Sequence, residues 1–279
     1  MIPLTTTAVV LGIAQDAGHP QAGCEKTCCQ AAWEGAGHKV SSLGLVEAGK
    51  HWLLDATPDL PRQLESLEGT LAGIFLTHAH IGHYTGLMHL GREAMGASAV
   101  AVWAMPRMRA FLSDNGPWDQ LVDNRNILVQ PLEDGVPVRL SETLSVTPVA
   151  VPHRDEYSET VGFFVEGPSR KLLYLPDIDK WEKWETPIVD WITRVDVAML
   201  DGTFFDGNEL PGRDMKQIPH PFVVESIERF APLATAERDK IHLIHLNHTN
   251  PILDPTSVAS ETVREAGLHV AREGDVHPL

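Results

Sequence analysis

The amino-acid sequence predicts an α/β protein in which two mixed β-sheets pack face to face and helices cover the outer surfaces. Two observations lead to this fold class. Strand-like segments are followed by helix-like segments, and this order occurs twice along the 279 residues. Histidines and aspartates follow several predicted strands, which is where a stiff sheet commonly carries chemistry. The sequence has no obvious linker or short repeat, so we expect one domain over residues 1–279.

The first half of the chain provides four predicted strands and two predicted helices. Apolar and β-branched runs predict strands at Thr7–Gly12, Ser41–Ala48, His51–Asp55 and Gly73–Thr77. Apolar residues at helical spacing predict helices at Leu60–Leu67 and Thr85–Met95. The segment Trp103–Leu112 has the same spacing, and the following Gly116 and Pro117 end the pattern because these residues interrupt helices.

The second half of the chain repeats this arrangement. Strands are predicted at Leu144–Val151, Thr160–Val165, Lys171–Leu175, Val195–Leu200 and Ile241–His245. Helices are predicted at Trp181–Thr193, Phe222–Phe230 and Ser257–Ala266. The connection from Phe204 to Pro221 is rich in glycine, proline and charge, and loops of this length are often lids or disordered segments.

The most informative feature is a cluster of three histidines, His78, His80 and His83, directly after the apolar run at residues 72–76. His78 and His80 are two residues apart, so in an extended chain their rings point the same way. Imidazole is a good ligand for zinc, iron, nickel and copper. The cluster therefore predicts a metal site at the edge of a sheet.

Three more residues of metal-binding type lie downstream in matching positions. His153 follows the predicted strand Leu144–Val151, Asp177 follows Lys171–Leu175, and His245 ends the strand that starts at Ile241. A single residue of this kind would mean little. Several of them after strands predict that they meet at one place in the fold.

At these residues the chain resembles the metallo-β-lactamase superfamily. The pattern of that family is His-x-His-x-Asp-His, then a histidine, an aspartate and a final histidine, each after a strand. The resemblance implies an αββα sandwich. It also implies a first metal ion held by His78, His80 and His153 and a second ion served by His83 and His245, with Asp177 between the two ions.

The resemblance further implies catalytic roles for Asp177 and His83, and it makes Asp55 the residue that orients the histidine loop from outside the ligand set. The chain departs from the pattern at Gly82, where the family has an aspartate. Glycine offers no ligand, so the second position loses a carboxylate. We therefore expect zinc, manganese or iron at the active site, with one ion bound tightly and a second ion weak or absent.

Two branches of the superfamily look most similar. The PqqB branch, which acts in pyrroloquinoline quinone biosynthesis, is similar at residues 11–21, 201–205, 218–221 and 245–251. The cyclic phosphodiesterase branch of phosphonate breakdown shares the histidine set. His19 and His220 are candidates for substrate contact, and each is also compatible with an ordinary loop position.

These features favour a metal-dependent hydrolase of a small anionic ester, with phosphodiesters as the substrate class. A bound metal generates hydroxide near neutral pH and polarises the scissile group. One alternative is PqqB-like oxidation with iron at the same residues, since histidines and a carboxylate with open positions also suit Fe(II) and oxygen. Another alternative is a non-catalytic metal-binding or sensor protein, because Gly82 removes a family ligand.

All three cysteines, Cys24, Cys28 and Cys29, lie within six residues. An odd number so close together is a poor disulfide framework but a good chelate, because thiolates favour zinc. Both branches carry a cysteine run here, and the phosphodiesterase adds a histidine three residues after its last active-site histidine, which is His248 in this chain. We predict a structural zinc site at these four residues; the alternative is a set of reduced free thiols.

Charge and composition restrict the partners. The formal net charge of −16 argues against a general nucleic-acid surface and against anionic membranes. No apolar run approaches the roughly 18 residues of a membrane span, and the amino terminus lacks the basic region of a signal peptide. Clustered cysteines fit a reducing compartment. We expect a cytoplasmic protein that acts on a small molecule, and the sequence is compatible with a homodimer.

Overall fold

The computed structural model describes residues 6–210, 212 and 214–279. These residues form fourteen strands. In chain order the strands are β1 (Thr7–Gly12), β2 (Ser42–Glu47), β3 (Lys50–Leu54), β4 (Thr70–Phe75), β5 (Val100–Ala104), β6 (Ile127–Pro131), β7 (Val138–Arg139), β8 (Ser145–Ala150), β9 (Val161–Glu166), β10 (Lys171–Leu175), β11 (Val197–Asp201), β12 (Ile241–Ile244), β13 (His269–Val270) and β14 (Val276–Pro278).

The strands form two seven-stranded mixed sheets. The first sheet has the order β14-β1-β2-β3-β4-β5-β6, and its strands β3 to β6 are parallel. The second sheet has the order β13-β12-β11-β10-β9-β8-β7, and its strands β10 to β13 are parallel. The remaining pairs are antiparallel. The carboxyl ends of the parallel strands therefore line one edge of each sheet.

Helices connect the strands. The α-helices are α1 (Thr27–Ala31), α2 (Leu60–Glu65), α3 (Ile81–Tyr84), α4 (Pro106–Asp114), α5 (Trp118–Asp123), α6 (Ile188–Ile192), α7 (Val223–Phe230), α8 (Thr235–Arg238) and α9 (Val258–Glu265). Short 3-10 helices occupy Thr85–Leu90, Trp181–Lys183, Met215–Gln217 and Pro251–Leu253, and a π-helical turn follows α1 at Ala32–Ala36. None of the helices in the described part of the chain combines the length and hydrophobicity needed to cross a bilayer.

Successive side chains of a strand point to opposite faces of its sheet, and this alternation divides the buried side chains into two clusters. On β3 and β4, Leu54 and Phe75 belong to the cluster between the sheets, whereas Leu53 and Ile74 belong to the cluster beneath α2 to α5. The ring of Phe75 meets the ring of Phe163 from the second sheet edge to face, with centroids 5.7 Å apart. Full burial of each such side chain stabilises the fold by about 1.5–3 kcal/mol.

The predicted fold class is confirmed, because two mixed sheets pack face to face with helices outside. All nine predicted strands are present, and two of them, Thr7–Gly12 and Lys171–Leu175, have the predicted bounds. The strands β5, β6, β7, β13 and β14 and the helices α1, α3, α5 and α8 were not predicted. Their short apolar runs do not separate clearly into a strand or a helical pattern.

Three helix predictions were wrong in part. The predicted helix Trp103–Leu112 begins inside β5, and α4 starts only at Pro106, whose ring fixes a backbone angle suited to a first helical turn. The predicted helix Trp181–Thr193 is divided by Pro187 into a 3-10 turn and α6, because a proline disfavours helix in the residue before it. The predicted helix Thr85–Met95 is a 3-10 helix that ends at Leu90.

Candidate functional site

The first group of candidate metal ligands consists of His78, His80, His153 and Asp177, whose ligand atoms lie within 4.8 Å of one another. His78 Nε2 lies 2.8 Å from His80 Nδ1 and 3.5 Å from Asp177 Oδ2. His153 Nε2 lies 3.5 Å from Asp177 Oδ1. A tetrahedral ion about 2.1 Å from each ligand separates the ligand atoms by about 3.4 Å, so one ion fits this group. The structure thus brings together the residues predicted for the first ion.

The second group contains His83, His245 and Asp177, as predicted, and also Asp16, which was not predicted as a ligand. His83 Nε2 lies 3.0 Å from Asp177 Oδ2 and 3.0 Å from Asp16 Oδ1. His245 Nε2 lies 3.2 Å from Asp177 Oδ2 and 3.7 Å from Asp16 Oδ1. The expectation that Gly82 leaves this group without a second carboxylate is therefore wrong, because the loop after β1 supplies one.

Several ligand atoms are buried and lack a hydrogen-bond partner among the described residues, namely Asp16 Oδ1, His83 Nε2, His153 Nε2, Asp177 Oδ2 and His245 Nε2. Such atoms are rare, because each unsatisfied buried polar group costs roughly 1–3 kcal/mol. One bound cation in each group would satisfy these atoms. Imidazoles with carboxylates suit zinc, manganese or iron, so the residues present fit a metal centre.

Asp55 fixes the orientation of the histidine loop. Its Oδ2 accepts a hydrogen bond from His83 Nδ1 at 2.7 Å, and its Oδ1 accepts from the Thr77 hydroxyl at 2.9 Å. The Thr77 oxygen in turn lies 3.0 Å from His78 Nδ1 and accepts from it. With Nδ1 protonated in both rings, Nε2 of His78 and of His83 carries the lone pair that a metal requires.

Asp201 and Thr203 provide the same support from the second sheet, and no role was predicted for either residue. The Thr203 hydroxyl donates to Asp201 Oδ1 at 2.7 Å and lies 3.0 Å from His245 Nδ1, which donates to it. This leaves His245 Nε2 free to bind a metal. The available signal was an aspartate immediately after the predicted strand Val195–Leu200, the same context as Asp177.

His220 lies beside the two metal groups. Its Nδ1 is 2.8 Å from Asp201 Oδ2 and 3.5 Å from Asp177 Oδ1. These three residues could also hold a cation. Nδ1 donates to Asp201 Oδ2. Burial lowers the pKa of His220, but the charge and hydrogen bond of Asp201, together with the charges of Asp177 and Asp16, raise it above its usual value. The structure thus places this predicted contact residue inside the site.

Burial and charge set the protonation of the first group in the way that metal binding needs. Burial and the neighbouring His83 lower the pKa of His78 well below its usual value, and burial lowers the pKa of His153 to about 4. Burial alone would raise the pKa of Asp177, but His245 and the other surrounding histidines hold it well below its usual value. Neutral imidazoles and an ionised carboxylate are the metal-binding forms.

The cysteine group forms a separate candidate metal site. Cys24, Cys28, Cys29 and His248 place their ligand atoms within 4.8 Å of one another. His248 Nδ1 lies 3.2 Å from Cys29 Sγ and 3.9 Å from Cys28 Sγ. The four residues predicted for a structural zinc ion therefore come together, and they join the loop around α1 to the loop after β12. Thiolates and one imidazole form a closed set of zinc type.

His19 does not occupy the predicted position near substrate. Its Nε2 lies 3.0 Å from the carbonyl oxygen of Cys28 and donates to it, and its ring stacks on His38 at 5.5 Å. The ring is therefore turned toward the cysteine loop. His19 stabilises that loop, because its hydrogen bond satisfies a carbonyl next to the thiol ligands.

An αββα sandwich with histidine and aspartate ligands at the shared edge of its sheets defines a protein of the metallo-β-lactamase type. The family model of the Beta-lactamase superfamily domain matches residues 50–249. The chain belongs to this superfamily, and the resemblance stated from the sequence is confirmed.

Individual relatives cover nearly the whole chain. Coenzyme PQQ synthesis protein B of Klebsiella pneumoniae is 29% identical over 304 residues, which is 95% of this chain and 96% of that protein. The crystal structure of zinc-bound PqqB from Methylobacterium extorquens has a TM-score of 0.83 at 23% identity and covers 98% of this chain and 100% of its own. A diphosphatase of the PhnP family has a TM-score of 0.73 at 20% identity, with 99% and 98% covered. The two structures show a shared fold.

The cysteine group makes a testable contribution to stability. His248→Ala should lower zinc content by one ion per chain, because it removes one of four ligands. A site filled at about 100 times its dissociation constant adds about 2.7 kcal/mol to stability. At about 2–4 °C per kcal/mol, we expect the Tm to fall by roughly 5–10 °C. Metal analysis by mass spectrometry and thermal denaturation measure both effects.

His269→Ala is the matched control, since His269 is exposed and lies outside the candidate metal groups. A strong chelator should lower the Tm of the parent protein toward that of His248→Ala. Equal zinc content and equal Tm in the parent protein and in His248→Ala would remove the structural zinc assignment.

Proposed function

We propose that the protein is a metal-dependent hydrolase of a small anionic ester, with phosphodiesters as the substrate class. The observation that carries this proposal is the pair of adjacent ligand groups that share Asp177. Two cations held side by side stabilise the attacking and the leaving oxygens of a phosphoryl group at the same time. A PhnP-family diphosphatase is among the proteins that share this fold.

A divalent ion held by these residues would lower the pKa of a bound water to near 7 and would polarise the scissile group. The chain itself holds the ligands in place before substrate arrives. Asp55 with Thr77 fixes the rings of the histidine loop, and Asp201 with Thr203 fixes His245. All four supporting residues are almost completely buried, so little reorganisation accompanies the reaction.

In this proposal His220 supplies a proton to the leaving group. Asp201 and Asp177 engage its Nδ1, which leaves Nε2 as the ring nitrogen available to a ligand. The ring lines the cavity next to the metal groups. An imidazolium held between two carboxylates can donate a proton when the ester bond breaks.

The cavity beside the metal groups suits a small anion. It has a volume of about 490 Å³ and is lined by Lys26, Arg154 and His220. Arg154 directly follows the candidate ligand His153 in the chain and lines this cavity. Glu25 also lines the cavity, but the two cationic side chains outnumber this carboxylate in a chain whose net charge is −16, and this local excess favours an anionic substrate.

A second candidate function is PqqB-like oxidation with iron at His78, His80, His153 and Asp177. It is supported by relatives named coenzyme PQQ synthesis protein B, which match 95% of the chain. Oxygen chemistry at a single iron requires only one ligand group with open positions. The presence of a second ligand group beside the first therefore favours hydrolysis over oxidation. A third candidate is a non-catalytic metal-binding or sensor protein, and the experiment below distinguishes all three functions.

Hydrolysis should proceed without oxygen. Protein reloaded with zinc or manganese should cleave phosphodiesters with a nitrophenolate leaving group equally fast in air and under nitrogen, because water is the only co-substrate. Nitrophenolate absorbance measures the rate, and an oxygen electrode with the Fe(II)-loaded protein should detect no uptake. Asp177→Asn should abolish turnover, whereas Asp179→Asn, two residues further on, should retain it.

Turnover that requires Fe(II) and oxygen would support oxidation and exclude the hydrolase proposal. The absence of turnover with zinc, manganese and iron across a broad ester panel would support a metal-binding or sensor protein instead.

His220→Asn should lower kcat by about 10²–10⁴ for esters with alkoxide leaving groups, the usual contribution of a general acid. The loss should shrink for nitrophenolate esters, because that leaving group departs without a proton. Metal content should not change. Rates measured over a series of leaving-group pKa values test this, and a uniform loss across the series would show that His220 only positions other groups.

Arg154→Gln should raise the KM for a phosphodiester by about tenfold or more and leave kcat within about twofold, since a charge-assisted hydrogen bond contributes about 1.5–3 kcal/mol. Arg109→Gln is the control, because Arg109 is also exposed but lines a different groove. Steady-state kinetics measure both constants. An unchanged KM in Arg154→Gln would show that Arg154 does not contribute to substrate binding.

A further inference from the structure

We propose that Asp16 is a direct ligand of a second metal ion and that it delivers, from the loop after β1, the carboxylate that the histidine motif lacks at Gly82. The inference concerns the ligand set and uses the same metal centre as the proposed function. Its test measures bound metal, so it stands or falls separately from the reaction.

Four buried atoms converge on one point in the second group. Asp16 Oδ1, His83 Nε2, His245 Nε2 and Asp177 Oδ2 all lack a hydrogen-bond partner among the residues that the structure describes. The side chains of His83, His245 and Asp177 are 0%, 1% and 2% exposed. The close contacts of His83 Nε2 with the two carboxylates do not have hydrogen-bond geometry. The ring nitrogen therefore lies 3.0 Å from each carboxylate without a hydrogen bond to either.

The spacing of these atoms matches one small cation. The nitrogen–oxygen distances are 3.0, 3.0, 3.2 and 3.7 Å. A tetrahedral ion at about 2.1 Å from its ligands requires about 3.4 Å between them. Nδ1 of His83 donates to Asp55 and Nδ1 of His245 donates to Thr203, so in the neutral form of each ring Nε2 carries the lone pair that a cation needs.

Asp16 occupies the space that a side chain at Gly82 would need. A Cβ atom built on Gly82 would lie 2.4 Å from Asp16 Cα and 2.4 Å from Asp16 Oδ1. The first of these is a backbone atom that cannot move away alone. A carboxylate can therefore come from residue 82 or from residue 16, but the parent fold does not accommodate both. Although Gly82→Asp restores the aspartate of the family motif, this substitution alone should fail to strengthen metal binding.

The loop that carries Asp16 is fixed against the loop that carries His245. Leu246 N donates to Ile13 O at 2.7 Å, and Gln15 N donates to Leu246 O at 2.8 Å. These backbone hydrogen bonds lie immediately beside both ligands. Asp16 is therefore positioned by the same chain segment as its partner, which is a condition for a rigid metal site.

Exchange of the two positions tests the proposal. The parent protein, reloaded with Mn(II), should bind two ions outside the cysteine group and show the electron paramagnetic resonance signal of a coupled pair. Asp16→Asn keeps the shape of the side chain but removes its charge. This substitution should lower the affinity for the second ion by at least about 100-fold, which is the upper range for loss of a supporting group near a metal. The signal should then become that of isolated ions.

The double variant Asp16→Gly with Gly82→Asp should recover the second ion and the coupled signal, because the carboxylate returns from the other side of the same space. Asp179→Asn serves as a charge-matched control. Retention of two ions with unchanged affinity in Asp16→Asn would overturn the proposal. The same holds if the double variant folds, as judged by circular dichroism, and still binds one ion.

Discussion

The Asp177 carboxylate is the group on which the rest of the centre depends. It is buried, and five imidazoles surround it, with contacts of 3.0 to 3.5 Å from the rings of His78, His83, His153, His220 and His245. An unpaired charge at this depth would cost several kcal/mol. Every strand and loop that carries one of these rings must therefore end at the same place, and the two sheets meet there.

The two halves of the molecule hold their histidines around Asp177 in similar ways. In each half an aspartate at a strand end accepts a hydrogen bond from a threonine hydroxyl, and the aspartate or that hydroxyl accepts from the Nδ1 atoms of the histidines. The backbone turns sharply at the same points, with positive φ angles of 73° at Asp55 and 64° at His245. Such backbone strain is typical of residues that are held for function.

The sequence was sufficient for the sandwich and for most ligands, because strands that end in histidine or aspartate are a local pattern. The sequence was not sufficient where the position of a residue depends on contacts with residues distant in the chain. Asp16 precedes His83 by 67 residues and His245 by 229 residues, and the backbone pairing of Ile13 and Gln15 with Leu246 holds its loop beside the loop of His245. Gly82 signalled a missing carboxylate, but nothing local showed its replacement. His19 was misplaced for the same reason, since its partner is the carbonyl of Cys28, which depends on the shape of the loop.

One short segment of chain, residues 15–29, carries both Asp16 and the three cysteines, and the loop after β12 carries their partners His245 and His248. Ions at the two positions would therefore restrain the same pair of loops. The ordering of the segment by one ion would lower the entropy lost when the other binds, so occupancy of the two positions would be cooperative. Reciprocity follows from thermodynamic linkage: oxidation of the thiols would weaken the ion beside Asp16, and filling that position would protect the thiols.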